Sequence, residues 1–280
     1  MAAPLIPFEE ISLRDENIIG AGFYGRVYKT EWLGRTIAVK VIGVGMESQQ
    51  IEREVNQLSN LEHENIIRLY GISMHGNMFH LLEEYAEGGA LSTLIHSDLP
   101  NYTLAHAFNW AHQIAKGLAY LHARTPRAVI HRDIKPNNVV LSQQGLSLKI
   151  CDFGTVVNLA TSMTADVGTC LYKAPEVFQG RKYNEKCDVH SWAITFWEIL
   201  SRENPFKHCR ILNSVVLAVI GGTRPPVSSI RNDCPEDIIN LITACWDSEP
   251  SRRYSMRLVA NIMNGALTDA GPFEPLNYNP

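Results

Sequence analysis

No run of about 18 apolar residues occurs in this chain of 280 residues, so no transmembrane helix is expected. The first ten residues, "MAAPLIPFEE", lack the basic and apolar regions of a secretory leader. They also lack a myristoylation pattern, and the closing "NYNP" is no prenylation signal. No two of the six cysteines (Cys151, Cys170, Cys187, Cys209, Cys234, Cys245) stand at CxxC spacing. They read as thiols of a reducing, cytoplasmic compartment. A dominant basic surface is missing too, with a net charge of −4 and a pI near 6.2. Nucleic acid is therefore not an expected partner, and neither is membrane insertion. No internal repeat or low-complexity tract is visible. What the chain does have is 45% hydrophobic residues, enough for one large domain or two lobes.

The first third reads as strands. "ENIIGAGFYGRVYKTEW" is strand, Gly-rich turn, strand, and "GRTIAVKVIGV" is a β-rich partner. "ESQQIEREVNQLSNL" places Ile51, Val55, Leu58 and Leu61 at helical spacing. "NIIRLYGISMHGNMFHLLEEYA" returns to strands around an "HGN" turn. After Gly88-Gly89 the character changes. "LAHAFNWAHQIAKGLAYLHA", "DVHSWAITFWEILS" and "PEDIINLITACW" are amphipathic helices. An α+β architecture follows, with a small β-rich lobe before a larger helical one. Beyond residue 266 the Pro and Asn signals of "LTDAGPFEPLNYNP" predict an irregular tail.

Chemistry concentrates in short polar motifs. "GAGFYGRV" sets Gly20, Gly22 and Gly25 between two strands, with Val27 behind. Glycine permits the bend and lets backbone N–H groups approach phosphate. Alone, the pattern also fits an ordinary hairpin. A dinucleotide-binding turn would lead into a helix, whereas here a strand follows. Lys40 ends "TIAVK" on the next strand, and Glu54 on the following helix offers it a partner that could hold it toward ATP phosphates. "VIHRDIKPNNVVL" supplies His131, Arg132, Asp133, Lys135 and Asn138. "LKICDFGT" supplies Asp152, Phe153 and Gly154. Asp133 is placed to accept a hydroxyl proton. Asn138 and Asp152 are hard oxygen ligands suited to Mg²⁺, which needs few protein ligands when phosphates supply others. "KAPEVF" then ends near Glu176. The order and spacing of these motifs argue against coincidence.

Taken together, the motifs resemble a protein kinase domain over about residues 14–265, which implies the bilobal fold with one regulatory helix in its N-lobe. "HRDIKPNN", with Lys135 after Asp133, and "GTCLYKAPE" resemble the serine/threonine class. "EYAEGGAL", "AYLH", "YNEKCDVHSWAI", "GTRPP" and "EPLNY" resemble the transforming-growth-factor-β-activated subfamily of MAP kinase kinase kinases. The resemblance implies an N-terminal extension at 1–13, an N-lobe at 14–84, a hinge at 84–89, a C-lobe at 90–265 and a tail at 266–280. It implies ATP and Mg²⁺ as cofactors. Adenine would lie on the backbone of Glu84 and Ala86, between Ile19, Val27, Ala38 and Leu141. Lys40 would bind phosphate and Glu54, Asp133 would orient the attacking hydroxyl, and Lys135 would steady the transferred phosphoryl group. Phe153 would have a structural or regulatory role. Glu176 should pair with Arg253, and Asp188 should brace the catalytic loop. Arg132 would receive a phosphate from the activation segment, where Thr161, Ser162, Thr164 and Thr169 are available. Implied partners are MAP kinase kinases as protein substrates and an activating or adaptor protein on the C-lobe, with a role in stress or immune signalling. The competing expectation is a weakly active or inactive kinase-fold scaffold.

Three positions depart from the pattern. Ala193 replaces the Gly expected after Ser191-Trp192, and Tyr254 replaces the Pro expected after Arg253. Glu83 stands at the gatekeeper position, where the relatives carry an uncharged residue. A carboxylate resists burial there: beside Lys40 it would compete with Glu54, or it would be protonated by burial and act as a neutral hydrogen-bond group, or it would turn to water and do little.

Overall fold

The computed structural model describes residues 3–22, 25–43, 55, 58–98, 101–153, 170–209 and 211–278. The chain divides into two compact units, Met1–Ala86 with Phe153–Val157, and Glu87–Asp152 with Asn158–Pro280.

The smaller unit is built on five antiparallel strands: β1 (Ile18–Gly22), β2 (Gly25–Trp32), β3 (Arg35–Gly43), β4 (Leu69–His75) and β5 (Met78–Glu84), in the order β1-β2-β3-β5-β4. Alternation along β3 splits its side chains between two faces. Ile37, Val39 and Val41 join Tyr28 and Leu82 in one apolar cluster, while Ile42 joins Leu81 and Val55 in another. Strands β4 and β5 are joined through Gly76, which adopts a φ of 56°. The N-terminal segment closes the free edge of β4. The Ile6 N–H donates to Ile72 O at 2.8 Å, and the Ile72 N–H donates to Pro4 O at 2.9 Å. Covering an edge in this way removes a template for unwanted pairing. Gly71 makes room for the segment, since a Cβ there would lie 2.4 Å from Ile6 Cδ1. The predicted helix of "ESQQIEREVNQLSNL" falls largely outside the described residues, although Val55 and Leu58 are helical and buried.

The larger unit is helical: α1 (Leu91–His96), α2 (Leu104–His122), α3 (Pro175–Phe178), α4 (Lys186–Ser201), α5 (Leu212–Ile220), α6 (Glu236–Cys245) and α7 (Met256–Ala270), with a two-stranded ribbon β6 (Val139–Ser142) and β7 (Ser147–Ile150). Helix α2 starts at a capping box, in which Thr103 and His106 satisfy each other's backbone donors. Helix α4 is buried without interruption from Cys187 to Leu200, as expected of a central helix apolar on most sides. The tail begins later than predicted, because α7 runs to Ala270. Its residues 271–278 carry neither helix nor strand.

Candidate active site

Within the smaller unit, the Gly-rich hairpin pairs Gly20 with Val27 and Gly22 with Gly25. Gly25 has a φ of 128°, and a Cβ there would fall 1.9 Å from Val41 O. No other residue fits that backbone. Strand register then sets one row of side chains across the sheet. Val27 is opposite Lys40, which is opposite Leu81; Lys29 is opposite Ala38, which is opposite Glu83. Directly paired residues share a face, so Val27, Ala38, Lys40 and Glu83 lie on the same one. Lys40 is 8% exposed and Glu83 7%. Diagonal neighbours of this kind have Cα atoms about 7–8 Å apart, within reach of long side chains. Ile19 is half exposed on β1. Glu84 ends β5, and Ala86 follows it with neither helix nor strand. The Lys29 ammonium sits 4.7 Å over the Tyr85 ring.

Within the larger unit, the loop before β6 converges on Asp133, which is 3% exposed. Lys135 Nζ donates to Asp133 Oδ2 at 2.8 Å. Asn138 Nδ2 donates to Asp133 Oδ2 and to Asp133 O, each at 2.8 Å. Oδ1 of Asp133 is buried with no hydrogen-bond partner among the described residues. A buried carboxylate oxygen left this way is costly unless something else donates to it. The loop is fixed from behind by two histidines. His131 Nδ1 accepts from the Asp133 N–H at 3.3 Å, so its Nε2 carries the proton donated to Cys151 O at 3.1 Å. His122 Nε2 lies 2.9 Å from Asp188 Oδ2. Asp188, on α4, accepts from the backbone N–H groups of His131 at 2.9 Å and Arg132 at 2.7 Å. Burial pushes the Asp188 pKa up, but the hydrogen bond to His122, the two neighbouring histidine rings and the Arg132 N–H outweigh it and hold the carboxyl below its ordinary value.

Arg132 and Asp152 adopt φ values of 70° and 63°, a left-handed backbone that side-chain-bearing residues take up at a cost. Arg132 directly precedes Asp133, and Asp152 follows the β6–β7 ribbon. The Arg132 guanidinium stacks 5.3 Å from the Tyr183 ring, and its buried Nε has no hydrogen-bond partner among the described residues. Asn138 O accepts from the Cys151 N–H at 3.0 Å, which ties the second polar loop to the first. Phe153 is 1% exposed. Further down, Arg253 grips Glu176 with two parallel bonds of 2.6 and 2.9 Å, both side chains being buried. Such fork-to-fork geometry is the strong form of an ion pair.

No group of three or more His, Cys, Asp or Glu able to hold a metal occurs among the described residues. Asn138 spends its Nδ2 on Asp133, which leaves its carbonyl oxygen to face elsewhere. Asp152 follows Cys151, whose N–H is bonded to Asn138 O, and an amide oxygen with a carboxylate is a donor pair that suits Mg²⁺ completed by phosphate and water. The residues present therefore fit that ion. Glu54, Thr161, Ser162, Thr164 and Thr169 lie outside the described residues. Sequence reasoning missed the parts played by His122 and His131. Histidine at a helix end or beside an Asp carries no spacing signal of its own.

Residues 13–264 match the family model described as protein kinase domain. The chain is 45% identical to mitogen-activated protein kinase kinase kinase 7 of Drosophila melanogaster, over 99% of this chain and 41% of that protein. It is 42% identical to the human protein of the same name, over 98% of this chain and 46% of that one. A Drosophila protein named as mitogen-activated protein kinase kinase kinase 7-like is 39% identical, over 97% of this chain and 71% of its own length. The chain thus spans less than half the length of the first two relatives.

Proposed function

We propose a function from one premise: the chain belongs to the protein kinase family. It is an ATP-dependent serine/threonine kinase acting upstream in a MAP kinase cascade, with MAP kinase kinases as its protein substrates. The observation that carries this reading is the Asp133 cluster. One carboxylate oxygen is spent on Lys135 and Asn138, and the other, buried and unpartnered among the described residues, remains to accept a proton. A protein hydroxyl donating to Oδ1 would be oriented for attack and give its proton to that carboxylate as the new P–O bond forms and the bond from the γ-phosphorus to its bridging oxygen breaks, releasing ADP. Lys135, already 2.8 Å from Oδ2, would carry positive charge to the transferred phosphoryl group. Asn138 and Asp152 would hold Mg²⁺, which supplies neutralising charge to the phosphates when bound.

In the smaller unit, Gly20, Gly22 and Gly25 would admit the phosphates, and Lys40 would bind them. Glu84 and Ala86 would offer backbone C=O and N–H to adenine, with Ile19, Val27, Ala38 and Leu141 as candidate apolar contacts. Serine/threonine preference rests on Lys135 and Thr169. An activating or adaptor protein on the C-lobe, a cytoplasmic setting and a role in stress or immune signalling belong to the same reading. All six cysteines are thiols rather than disulfides, which supports a reducing compartment. No helix among the described residues is long and apolar enough to cross a membrane. A catalytically silent scaffold would have no use for a complete Asp133, Lys135, Asn138 and Asp152 set.

The test is transfer of radiolabelled phosphate from ATP to a catalytically dead MAP kinase kinase, with wild type beside Asp152→Ala. Mg-ATP should also raise the melting temperature of the wild type, and Asp152→Asn should blunt the metal-dependent part. A wild type with no transfer and no shift at millimolar Mg-ATP would overturn the reading.

A further inference from the structure

The tail after α7 has no regular structure, yet it is fastened to the larger unit at Phe273, Glu274, Leu276 and Tyr278. The Phe273 ring meets the His106 ring edge-on with centroids 4.9 Å apart. Glu274 O lies 2.8 Å from His106 Nε2. His106 Nδ1 accepts from the Thr103 N–H at 3.2 Å, so Nε2 holds the proton and donates it to the tail. The Leu276 N–H donates to Gln144 O at 2.8 Å. The Leu276 side chain, 6% exposed, packs on Gly145, where an added Cβ would meet it at 3.1 Å. The turn it holds is a strained one, with φ of 50°, 54° and 83° at Gln143, Gln144 and Gly145. Glutamine rarely takes up that conformation without outside support.

The tail ends on the segment that opens the larger unit. The Tyr278 hydroxyl donates to Gly88 O at 3.0 Å. On its other side, Gly88 donates its N–H to Leu141 O at 2.7 Å, and Gly89 O accepts from the Leu141 N–H at 2.9 Å. Glu87 Oε1 accepts from the Gln143 N–H at 2.6 Å. Gly88 has no spare room, because a Cβ would sit 2.5 Å from the Tyr278 hydroxyl and 2.7 Å from Leu141 O. Residues 87–89 are thus clamped between β6 and the tail.

We propose that residues 271–278 form a positioning strap for the nucleotide, with Tyr278 as its latch. The inference rests on the kinase reading, in which Leu141 touches adenine. The strap fixes Leu141 through Gly88 and Gly89, and fixes the turn after β6 through Leu276. It touches no reacting atom. It should therefore govern how well ATP is held and leave the transfer step alone.

Two variants test it: Tyr278→Phe, which keeps the ring and loses the hydroxyl, and a chain ending at Gly271. Loss of one neutral hydrogen bond should raise KM for ATP about three- to tenfold in Tyr278→Phe, with kcat within about twofold of wild type. The shortened chain should show a larger rise, partly reversed by adding a synthetic peptide of residues 272–280. Amide hydrogen exchange reads the latch without nucleotide. The Gly88 and Leu141 amides should exchange faster in both variants, while those of α4 stay protected. An unchanged KM in both variants overturns the strap, even if exchange quickens. A wild type that binds no Mg-ATP overturns the kinase reading instead, and the exchange result then says whether the tail fastens Gly88 at all.

Discussion

Glu83 puts a carboxylate, 7% exposed, on the sheet face that carries the buried Lys40. A carboxylate about 4 Å from an ammonium gains roughly 4 kcal/mol at an effective dielectric of 20, before desolvation is subtracted. In the proposed machinery a gain of that order would compete with phosphate and with Glu54 for Lys40. Glu83→Met should therefore raise kcat/KM for ATP, by about tenfold for each 1.4 kcal/mol released. It should also admit bulky ATP-site inhibitors that the wild type excludes. Steady-state kinetics and an inhibitor panel check both, and two unchanged quantities would make Glu83 a bystander. Lys40→Met and Asp133→Asn should each abolish transfer with the fold kept, because positioning and charge carry most of the catalysis. A variant with near wild-type turnover and an unchanged thermal melt would remove its residue from the proposed machinery. Asp133, Asn138 and Asp152 stand out in the sequence through the order and spacing of the motifs that hold them, since a single polar residue in a loop is ordinary. Their exact partners do not stand out. The hydrogen bonds from His131 and His122 join residues 20 and 66 positions apart, and no local pattern records such a distance.

At the scale of elements, strands β1 to β5 and helices α2, α4 and α6 could be read from alternation and helical spacing. Helices α1, α3, α5 and α7 are not assigned by that reading. The sequence of α5, "LNSVVLAVI", is rich in β-branched residues that suit a strand equally well, and α7 continues through Gly265 and Thr268, both poor helix formers. Tertiary packing overrides those preferences: Val215 and Val219 of α5 pack with Phe206, and Met256, Val259 and Met263 of α7 are buried. The activation segment is the element on which the proposed regulation turns. Arg132, with its buried Nε lacking a partner among the described residues, offers a cation that a phosphate would neutralise and order. Thr164 is the proposed acceptor, with Thr161 and Ser162 beside it. Mass spectrometry of active protein should find phosphate between Thr161 and Thr169. Changing Thr161, Ser162 and Thr164 together to Ala should remove most of the activity, and full activity in that triple variant would refute the mechanism.

Over the whole molecule, stability and pH are coupled through polar groups buried in the larger unit. His190 on α4 is fully buried, where its Nδ1–H points at Tyr172 O, 3.3 Å away, and its Nε2 has no partner among the described residues. Burial first, and then the charges of Arg253 and Arg224, push its pKa well below the ordinary 6.5, against a small opposing pull from the Tyr172 carbonyl. The folded protein therefore keeps this ring neutral at pH values where the unfolded chain protonates it. Because the unfolded state binds the extra proton, stability rises with pH in that window. The contribution is fully present above about pH 6.5 and drains away as pH falls below it, by up to about 1.4 kcal/mol per pH unit for one proton. His190→Phe removes the titrating group, and with it a buried acceptor that nothing among the described residues satisfies. Melting temperatures taken from pH 7.5 down to 5.0 should fall less steeply in His190→Phe than in wild type, with the two curves converging near neutrality or the variant lying above. Parallel curves through that range would mean that His190 is protonated in the folded state as readily as in the unfolded one, and that some other group sets the acid limit of the molecule.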